Sequence, residues 1–229
     1  MRQGTMADTE KEKFILFMVR SGVLSFGEFV TKSGRRTPYF INTGNYRSGA
    51  QMATLGEHYG RVIEREFGGD VDVLFGPAYK GIPLAVAAAI ALERTWGRAV
   101  DVCFNRKEVK NHGEGGSLIG RKLQDGDRVV IVEDVTTAGT SIRETVPLLR
   151  AAARVELAGL VVSVDRMEQG SGGGSALAEI SAEYDMPVHA LVTLDDIVEC
   201  LHGREVDGGV VLDDRFKERI DRYRLQYGA

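Results

Sequence analysis

The chain has 229 residues, of which 43% are hydrophobic, and this is enough for one substantial domain with its own core. Its formal net charge of −4 gives no electrostatic reason to expect nucleic acid or an anionic membrane as the main partner. Cys103 and Cys200 lie too far apart to suggest a disulfide framework, the histidines lack metal-ligand spacing, and no apolar run approaches the ~20 residues that span a bilayer. The composition therefore favours a cytoplasmic enzyme with reduced thiols.

Strand-like and helix-like segments alternate along most of the chain. The pattern predicts an amphipathic helix from about Asp8 to Ser21, then short extended pieces at 29–31 and 39–42 around the turn Ser33-Gly34. It then predicts, in chain order, a helix at 48–67, a strand at 71–75, a helix at 82–95, strands at 99–105 and 129–132, a helix from about 141 to 153, a strand at 157–164, a helix at 175–184, a strand at 188–192, and helices at 195–202 and 213–227.

Strands separated by helices of this length imply right-handed crossovers between parallel strands. The predicted fold class is therefore α/β, with a mainly parallel central sheet flanked by helices. Residues 1–229 are predicted to form a single domain, with a small hood from about 8–47 plus C-terminal elements and a core at about 48–200. The last helix is expected to bury one face of Phe216, Ile220, Tyr223 and Tyr227, and the glycine-rich segment 169–175 is expected to be a mobile surface loop.

The segment from Val129 to Glu144 carries the clearest functional signal. Its apolar run fits a strand buried on both faces, which delivers Glu133 and Asp134 to the sheet edge where open α/β folds bind ligands. The turn after it offers backbone N–H groups and hydroxyls at a helix N-terminus, a combination that binds phosphate, and it comprises Thr136, Thr137, Ala138, Gly139 and Thr140. Acids beside a phosphate cradle predict a ligand that carries hydroxyls, a bound divalent cation, or both next to its phosphate, and a phosphorylated sugar meets this description. The alternative is an ordinary acidic strand-to-helix loop.

A second phosphate-binding candidate is the turn in FGPAYKGIPLA, residues 75–85. Here too an apolar strand ends in a glycine-containing turn before a helix, and Lys80 projects from the turn with Tyr79 beside it. Glycine lets the backbone approach a ligand, and an ammonium supplies a point charge for phosphate. A solvent-exposed loop lysine is the alternative interpretation.

The polar segment 105–116 places four potential cations within seven residues, namely Arg106, Lys107, Lys110 and His112. Such a cluster repels itself unless an anion binds, and the glycines that follow give it hinge freedom. The segment is therefore predicted to be a mobile catalytic lid that stabilises a charged leaving group. The alternative is a solvated β-hairpin tip.

Two further motifs carry side chains suited to binding a planar anionic ring. Lys32 precedes a turn, and Tyr39 and Phe40 follow it, which combines charge with aromatic stacking area. Arg166 comes just past the end of a predicted strand, where its two-pronged guanidinium suits a carboxylate.

Five segments, taken together and in chain order, resemble the motifs of orotate phosphoribosyltransferases, which are type I phosphoribosyltransferases. The segments are KSGRRTPYF, GPAYKGIP, NRKEVKNHGEGG, EDVTTAGTSIRE and VDRMEQG. The resemblance covers roughly residues 10–200. It implies a type I phosphoribosyltransferase fold and transfer of ribose 5-phosphate from phosphoribosyl pyrophosphate (PRPP) to orotate, with Mg²⁺ bound mainly through PRPP and water. The products would be orotidine 5′-monophosphate and pyrophosphate, in pyrimidine synthesis.

The same resemblance implies a role for each motif. The two acids would hold the ribose hydroxyls, the turn 136–140 the 5′-phosphate, and Tyr79 and Lys80 the pyrophosphate, with a non-proline cis peptide before Tyr79. The lid cations Arg106, Lys107, Lys110 and His112 would act on pyrophosphate, some of them across a homodimer interface. Lys32, Tyr39, Phe40 and Arg166 would hold orotate.

Two other functions fit parts of the sequence. A purine could replace orotate as the acceptor, although the pairing of KSGRRTPYF with Arg166 would then have no anionic ring to hold. A non-enzymatic regulator could bind PRPP without turnover, but this predicts a missing lid or an added nucleic-acid-binding domain.

Overall fold

A computed structural model describes residues 6–30, 34–110, 116–135, 139–170 and 172–229, with the backbone alone at 6–8, 108–110 and 116. The α-helices are α1 (Met6–Arg20), α2 (Gly49–Phe67), α3 (Gly81–Trp96), α4 (Thr140–Ala152), α5 (Ala176–Tyr184), α6 (Leu194–Leu201) and α7 (Asp214–Tyr227), and a short 3-10 helix spans Thr43–Asn45. The strands are β1 (Leu24–Val30), β2 (Arg36–Ile41), β3 (Val73–Gly76), β4 (Asp101–Lys110), β5 (Gly116–Gly120), β6 (Arg128–Glu133), β7 (Glu156–Asp165), β8 (Val188–Thr193), β9 (Glu205–Val206) and β10 (Gly209–Val210).

The central sheet has six strands in the order β5-β4-β3-β6-β7-β8. All neighbouring pairs are parallel except β4 and β5. This confirms the predicted α/β class and mainly parallel sheet. It also places β3 directly beside β6, so the loop after β3 lies next to the acid pair at the end of β6.

Both faces of the sheet are buried, because successive side chains along each strand point into two apolar cores on opposite sides of it. On β3, Leu74 belongs to the apolar cluster that includes residues of α1, α2, α3, α6 and α7, whereas Val73 and Phe75 belong to a second cluster that includes residues of α4 and α5. Val130 and Ile131 divide in the same way on β6. Continuous apolar runs in the sequence are the consequence, since both faces of a parallel strand are covered.

Helix α2 begins where its sequence predicts because Ser48 and Gln51 form a capping box. The Ser48 hydroxyl accepts a hydrogen bond from the Gln51 N–H at 3.1 Å, and the Gln51 side chain accepts one from the Ser48 N–H at 3.0 Å. Both partners satisfy N–H groups that the first turn of a helix leaves unpaired. This helix later supplies a tyrosine to the site.

Three strand predictions require correction. Strand β4 continues to Lys110 instead of ending at residue 105, and it pairs with β5 as an antiparallel hairpin. Strand β1 begins at Leu24 instead of residue 29. The short hairpin β9–β10 was not predicted at all. These are edge or two-stranded elements with polar, partly exposed residues, so they lack the apolar pattern that marks buried strands.

The N-terminal hairpin β1–β2 and the C-terminal helix α7 pack against each other. The rings of Tyr39 and Tyr223 meet edge to face with centroids 6.0 Å apart, and Ile220 and Tyr223 are buried as predicted.

In the described part of 169–175, the Glu179 carboxylate accepts hydrogen bonds from the N–H groups of Gly172 at 2.8 Å and Gly174 at 3.3 Å. Across the ranges that the structure describes, every helix is too short or too polar to cross a membrane.

Candidate active site

Glu133 and Asp134 lie at the carboxyl end of β6, and their backbone is held from two sides. The Asp134 carbonyl accepts hydrogen bonds from the Ser163 N–H at 2.8 Å and the Ser163 hydroxyl at 2.6 Å. The Glu133 carbonyl accepts one from the Tyr59 hydroxyl at 2.7 Å. Strand β7 and helix α2 therefore fix the position of both acids.

The Asp134 carboxylate is the point where three segments of the site meet. Its Oδ2 accepts hydrogen bonds from the Thr43 hydroxyl at 2.7 Å and the Lys80 ammonium at 2.9 Å, and its Oδ1 accepts the Val135 N–H at 2.6 Å. Burial opposes ionisation of this group, but the three donors outweigh it and hold the pKa of Asp134 below its ordinary value. Asp134 is therefore a carboxylate at neutral pH.

The Glu133 carboxyl has the opposite character. Burial, and then repulsion by Asp134, raise its pKa to about 7, and the Asp134 N–H, which Oε1 accepts at 3.0 Å, compensates only in part. The side chains of the pair thus differ in protonation near neutral pH. A ligand that brings hydroxyl donors or a cation to this edge would favour ionisation of both.

Helix α4 follows the acid pair and starts at Thr140, one residue from the predicted start. Gly139 caps the helix with φ of 71°, a conformation that favours glycine, and a Cβ there would also displace the Ile180 Cδ1 atom, which lies 2.7 Å away. The predicted residues Thr136, Thr137 and Ala138 lie outside the described residues.

The loop between β3 and α3 makes a tight turn beside the acid pair. A Cβ on Gly76 would lie 2.3 Å from the Gly81 carbonyl oxygen, so the backbone at these two positions approaches too closely for any side chain. The peptide bond between Ala78 and Tyr79 is cis, as the family resemblance implied. The Ala78 N–H donates to Asn105 Oδ1 at 2.8 Å, which ties the loop to β4.

Strand β4 brings the described lid cations next to this loop. The Lys107 ammonium lies 5.4 Å from the centre of the Tyr79 ring, and that tyrosine is 67% exposed. Arg106 Nε is buried and finds no hydrogen-bond acceptor among the described residues. Lys110 ends β4 but its side chain is not described, and His112 lies outside the described residues.

Arg166, at the end of β7, belongs to a buried cluster with Tyr39 and Glu168. Its guanidinium lies over the Tyr39 ring at 4.7 Å, and its Nε donates to Glu168 Oε1 at 2.8 Å. Tyr39 is fully buried, so it supports Arg166 from below instead of presenting its ring to open space. Phe40 points to the other face of β2, where it stacks on Phe29 and is 37% exposed. Lys32 lies outside the described residues.

Sequence reasoning missed several residues that hold this edge of the sheet together. They are Thr43, Tyr59, Asn105, Ser163, Glu168 and Tyr223. Thr43, Asn105 and Glu168 stand inside or beside quoted motifs and carry polar side chains, which is the local signal available. Within the ranges described, no three His, Cys, Asp or Glu side chains are grouped so that they could hold a metal ion.

Comparison with known proteins gives the family. The family model of the phosphoribosyl transferase domain matches residues 42–172. Orotate phosphoribosyltransferases of Clostridium acetobutylicum and Lachnoclostridium phytofermentans are 53% and 56% identical to this chain over 219 residues, covering 96% of it and 98% and 97% of their own lengths. The crystal structure of orotate phosphoribosyltransferase from Francisella tularensis is 36% identical, with a TM-score of 0.79, and the match covers 95% of this chain and 100% of that one.

A parallel sheet whose paired acids precede a helix N-terminus, beside a tight glycine turn with a lysine, is the arrangement of the type I phosphoribosyltransferases. The chain belongs to this class and, within it, to the orotate phosphoribosyltransferase family.

Proposed function

We propose that the protein transfers the ribose 5-phosphate group of PRPP to orotate, which yields orotidine 5′-monophosphate and pyrophosphate for pyrimidine synthesis. The observation that carries the proposal is the meeting of three segments at Asp134. A hydroxyl from residue Thr43, an ammonium from Lys80 and the end of β6 converge on one carboxylate. A sugar diol, a pyrophosphate and a terminal phosphate would each find a complementary group around that point.

For the donor substrate, Glu133 and Asp134 accept hydrogen bonds from the ribose hydroxyls. The turn of Thr136, Thr137, Ala138, Gly139 and Thr140 holds the 5′-phosphate through its N–H groups, its hydroxyls and the N-terminus of α4. Tyr79 and Lys80 face the pyrophosphate. The Lys80 side chain is 58% exposed and already lies beside Asp134, so its ammonium can turn toward an incoming phosphate without crossing the site.

Mg²⁺ is the cation that this chemistry calls for, and it would neutralise charge on the pyrophosphate. It is a hard ion that prefers oxygen ligands and retains several waters, so we expect it to be held mainly by PRPP and water. The side chains present fit this role, because Asp134 is ionised and its oxygens are at the sheet edge. Glu133 becomes a second carboxylate there when it loses its proton.

For the acceptor, Arg166 binds the carboxylate of orotate, and Lys32 contributes charge. Tyr39 contributes indirectly, since its buried ring packs against the Arg166 guanidinium. The carboxyl group of orotate is ionised at working pH, whereas the attacking ring nitrogen carries a proton. This nitrogen attacks the anomeric carbon while the bond to pyrophosphate breaks, through an oxocarbenium-like centre, and its proton passes to water or to the departing pyrophosphate.

The departing pyrophosphate is stabilised by the cations of the lid, Arg106, Lys107, Lys110 and His112. Arg106 and Lys107 lie on β4, and the Lys107 ammonium reaches the ring of Tyr79 in the loop between β3 and α3. The buried Arg106 Nε has no acceptor in the described part of the chain. A bound anion would supply one. Lys110 or His112 would deliver charge or a proton to the leaving group.

We further propose that the protein works as a homodimer whose lid residues are shared between subunits. Helices α2 and α3 together form an exposed apolar surface, which supports the proposal of a homodimer. Val86 is 38% exposed and Ile90 is 49% exposed, and both line a groove with Met52, Ala53 and Pro83. Exposed aliphatic side chains that adjoin one another are typical of subunit interfaces.

We also propose that the chain is a single domain that acts in the cytoplasm. One apolar cluster joins α1, β1 and β2 to α6 and α7, which supports a hood formed by residues 8–47 and C-terminal elements over the core at 48–200. Cys103 and Cys200 are free thiols, which suits a reducing compartment.

A steady-state assay with PRPP and Mg²⁺ tests this function directly. We expect the absorbance of orotate to fall as orotidine 5′-monophosphate forms, and we expect no consumption of adenine, guanine or hypoxanthine in parallel reactions. Turnover of a purine without turnover of orotate, or PRPP binding without turnover of any base, would contradict the proposal.

A further inference from the structure

Glu168 connects three parts of the chain through a single oxygen atom. Its carboxylate is 4% exposed, and Oε1 accepts hydrogen bonds from Arg166 Nε at 2.8 Å, from the Tyr223 hydroxyl at 2.7 Å and from the Tyr39 hydroxyl at 3.3 Å. The donors come from β7, α7 and β2. Such a dense set of donors fixes the carboxylate, and the carboxylate in turn fixes the guanidinium.

The other oxygen of Glu168 faces a second arginine. Arg35 Nη1 lies 3.6 Å from Oε2, and the Arg35 guanidinium lies over the Tyr227 ring at 4.9 Å. Helix α7 therefore contributes two tyrosines to this cluster, one through its hydroxyl and one through its ring.

The Arg166 guanidinium is fixed by Glu168, but one of its nitrogens makes no hydrogen bond with the described residues. Its Nη2 lies 2.6 Å from Glu168 Oε1, yet it makes no hydrogen bond of acceptable geometry within the described ranges. Arg166 is only 6% exposed, so a buried donor remains available at the end of β7. Buried donors of this kind are costly unless a ligand satisfies them.

We propose that Glu168 and Tyr223 are positioning residues that set the affinity for the anionic acceptor, because they orient Arg166 toward its carboxylate. This inference rests on the proposed function. It gives the C-terminal helix a role in acceptor specificity, although Tyr223 itself contacts no substrate. An arginine that is already oriented loses less rotamer freedom on binding, so the gain appears in binding of orotate and not of PRPP.

Tyr223→Phe tests the proposal, because it removes the hydroxyl and keeps the ring that packs on Tyr39. We expect KM for orotate to rise roughly 5- to 20-fold, while KM for PRPP and kcat stay within about twofold. Tyr227→Phe is the matched control, since it removes a hydroxyl from the same helix that does not reach Glu168. We expect it to leave all three constants unchanged.

A second readout separates orientation of Arg166 from general loosening of the hood. Inhibition constants are measured for two competitors of orotate, one with the ring carboxylate and one with a carboxamide in its place. Tyr223→Phe should weaken the carboxylate and leave the carboxamide nearly unchanged, and Glu168→Gln should do so more strongly. Equal weakening of both competitors, or an unchanged KM for orotate, would overturn the inference. A wild-type protein that does not turn over orotate would instead refute the proposed function.

Discussion

Glu133 and Asp134 are neighbours in sequence, yet their carboxyl groups behave in opposite ways. Asp134 has three donors that lower its pKa, whereas burial and the charge of Asp134 raise the pKa of Glu133 to about 7. The difference comes from which donors reach each oxygen and not from the residue types. Before PRPP binds, the pair thus holds one charge and a proton that is easily lost.

The raised pKa of Glu133 predicts a stability that falls as pH rises. In the unfolded chain this group loses its proton near its ordinary pKa of 4.5, whereas the folded protein keeps the proton until about pH 7. The folded state therefore binds more protons between these values, and the free energy of unfolding decreases across the window, by up to about 3 kcal/mol.

Glu133→Gln should remove this dependence, because the amide cannot ionise. We expect the variant to exceed the wild type in free energy of unfolding at pH 8 and to match it near pH 5, as measured by urea denaturation at both values. The exposed Glu205→Gln is the control and should show no pH-dependent difference. A wild type that gains stability relative to Glu133→Gln between pH 5 and pH 8 would contradict the assigned pKa.

The acid pair and Lys80 could be predicted from sequence because their signal is local: an apolar strand, then a turn, then a helix. The residues that hold the site in place could not be predicted from the sequence. Thr43 lies 91 residues from Asp134 along the chain and Tyr223 lies 55 residues from Glu168, so only the tertiary fold brings them together. The position of Tyr39 was hidden for a related reason, since alternation along β2 decides which of Tyr39 and Phe40 is buried.

Helices and buried strands were predicted well because burial imposes a pattern on their residues. All seven α-helices of the described chain correspond to predicted ones, with ends that agree within a few residues, whereas the 3-10 helix at Thr43–Asn45 was not predicted. Strand β5 and the outer half of β4 escaped prediction, since they lie at the sheet edge and carry charged side chains. Three of the proposed lid cations, Arg106, Lys107 and Lys110, lie on β4 of this hairpin. The two interpretations weighed for this segment, a hairpin and a catalytic lid, are therefore compatible.

Lys110 tests the role of this hairpin in catalysis. We expect Lys110→Ala to lower kcat roughly 100-fold or more, because the ammonium acts on charge that develops in the transition state. KM for orotate should change by about twofold at most, since the proposed partner of this lysine is the leaving group and not the acceptor. Steady-state kinetics with each substrate varied in turn provide both constants.

The control for this experiment is Lys122→Ala, which removes an exposed lysine just beyond β5. Its kinetics should equal those of the wild type. If Lys110→Ala retained the wild-type kcat, the proposed action of the lid on the leaving group would be wrong.

In the assembled protein, the proposed sharing of lid residues makes each active site depend on two subunits. This follows if Lys110 of one subunit serves the site that contains Asp134 of the other. A mixture of two inactive variants, Lys110→Ala and Asp134→Asn, would then contain hybrid dimers with one intact site. We expect the mixture to recover about a quarter of wild-type activity after subunit exchange.

The recovery should appear only when the two variants are mixed, and the molar mass in solution should be that of a dimer. A mixture that stays inactive while light scattering shows hybrid dimers would contradict action of Lys110 across the interface. A monomer with full activity would contradict the shared site altogether.

Calorimetric titration of PRPP with Mg²⁺ into the wild type and into Asp134→Asn tests the sugar-phosphate site most directly. Asp185→Asn, an exposed substitution of the same type at the end of α5, is the control. We expect saturable heat for the wild type and the control, and binding at least roughly 30-fold weaker for Asp134→Asn. Absence of heat with the wild type, or equal Kd values for all three proteins, would contradict the account.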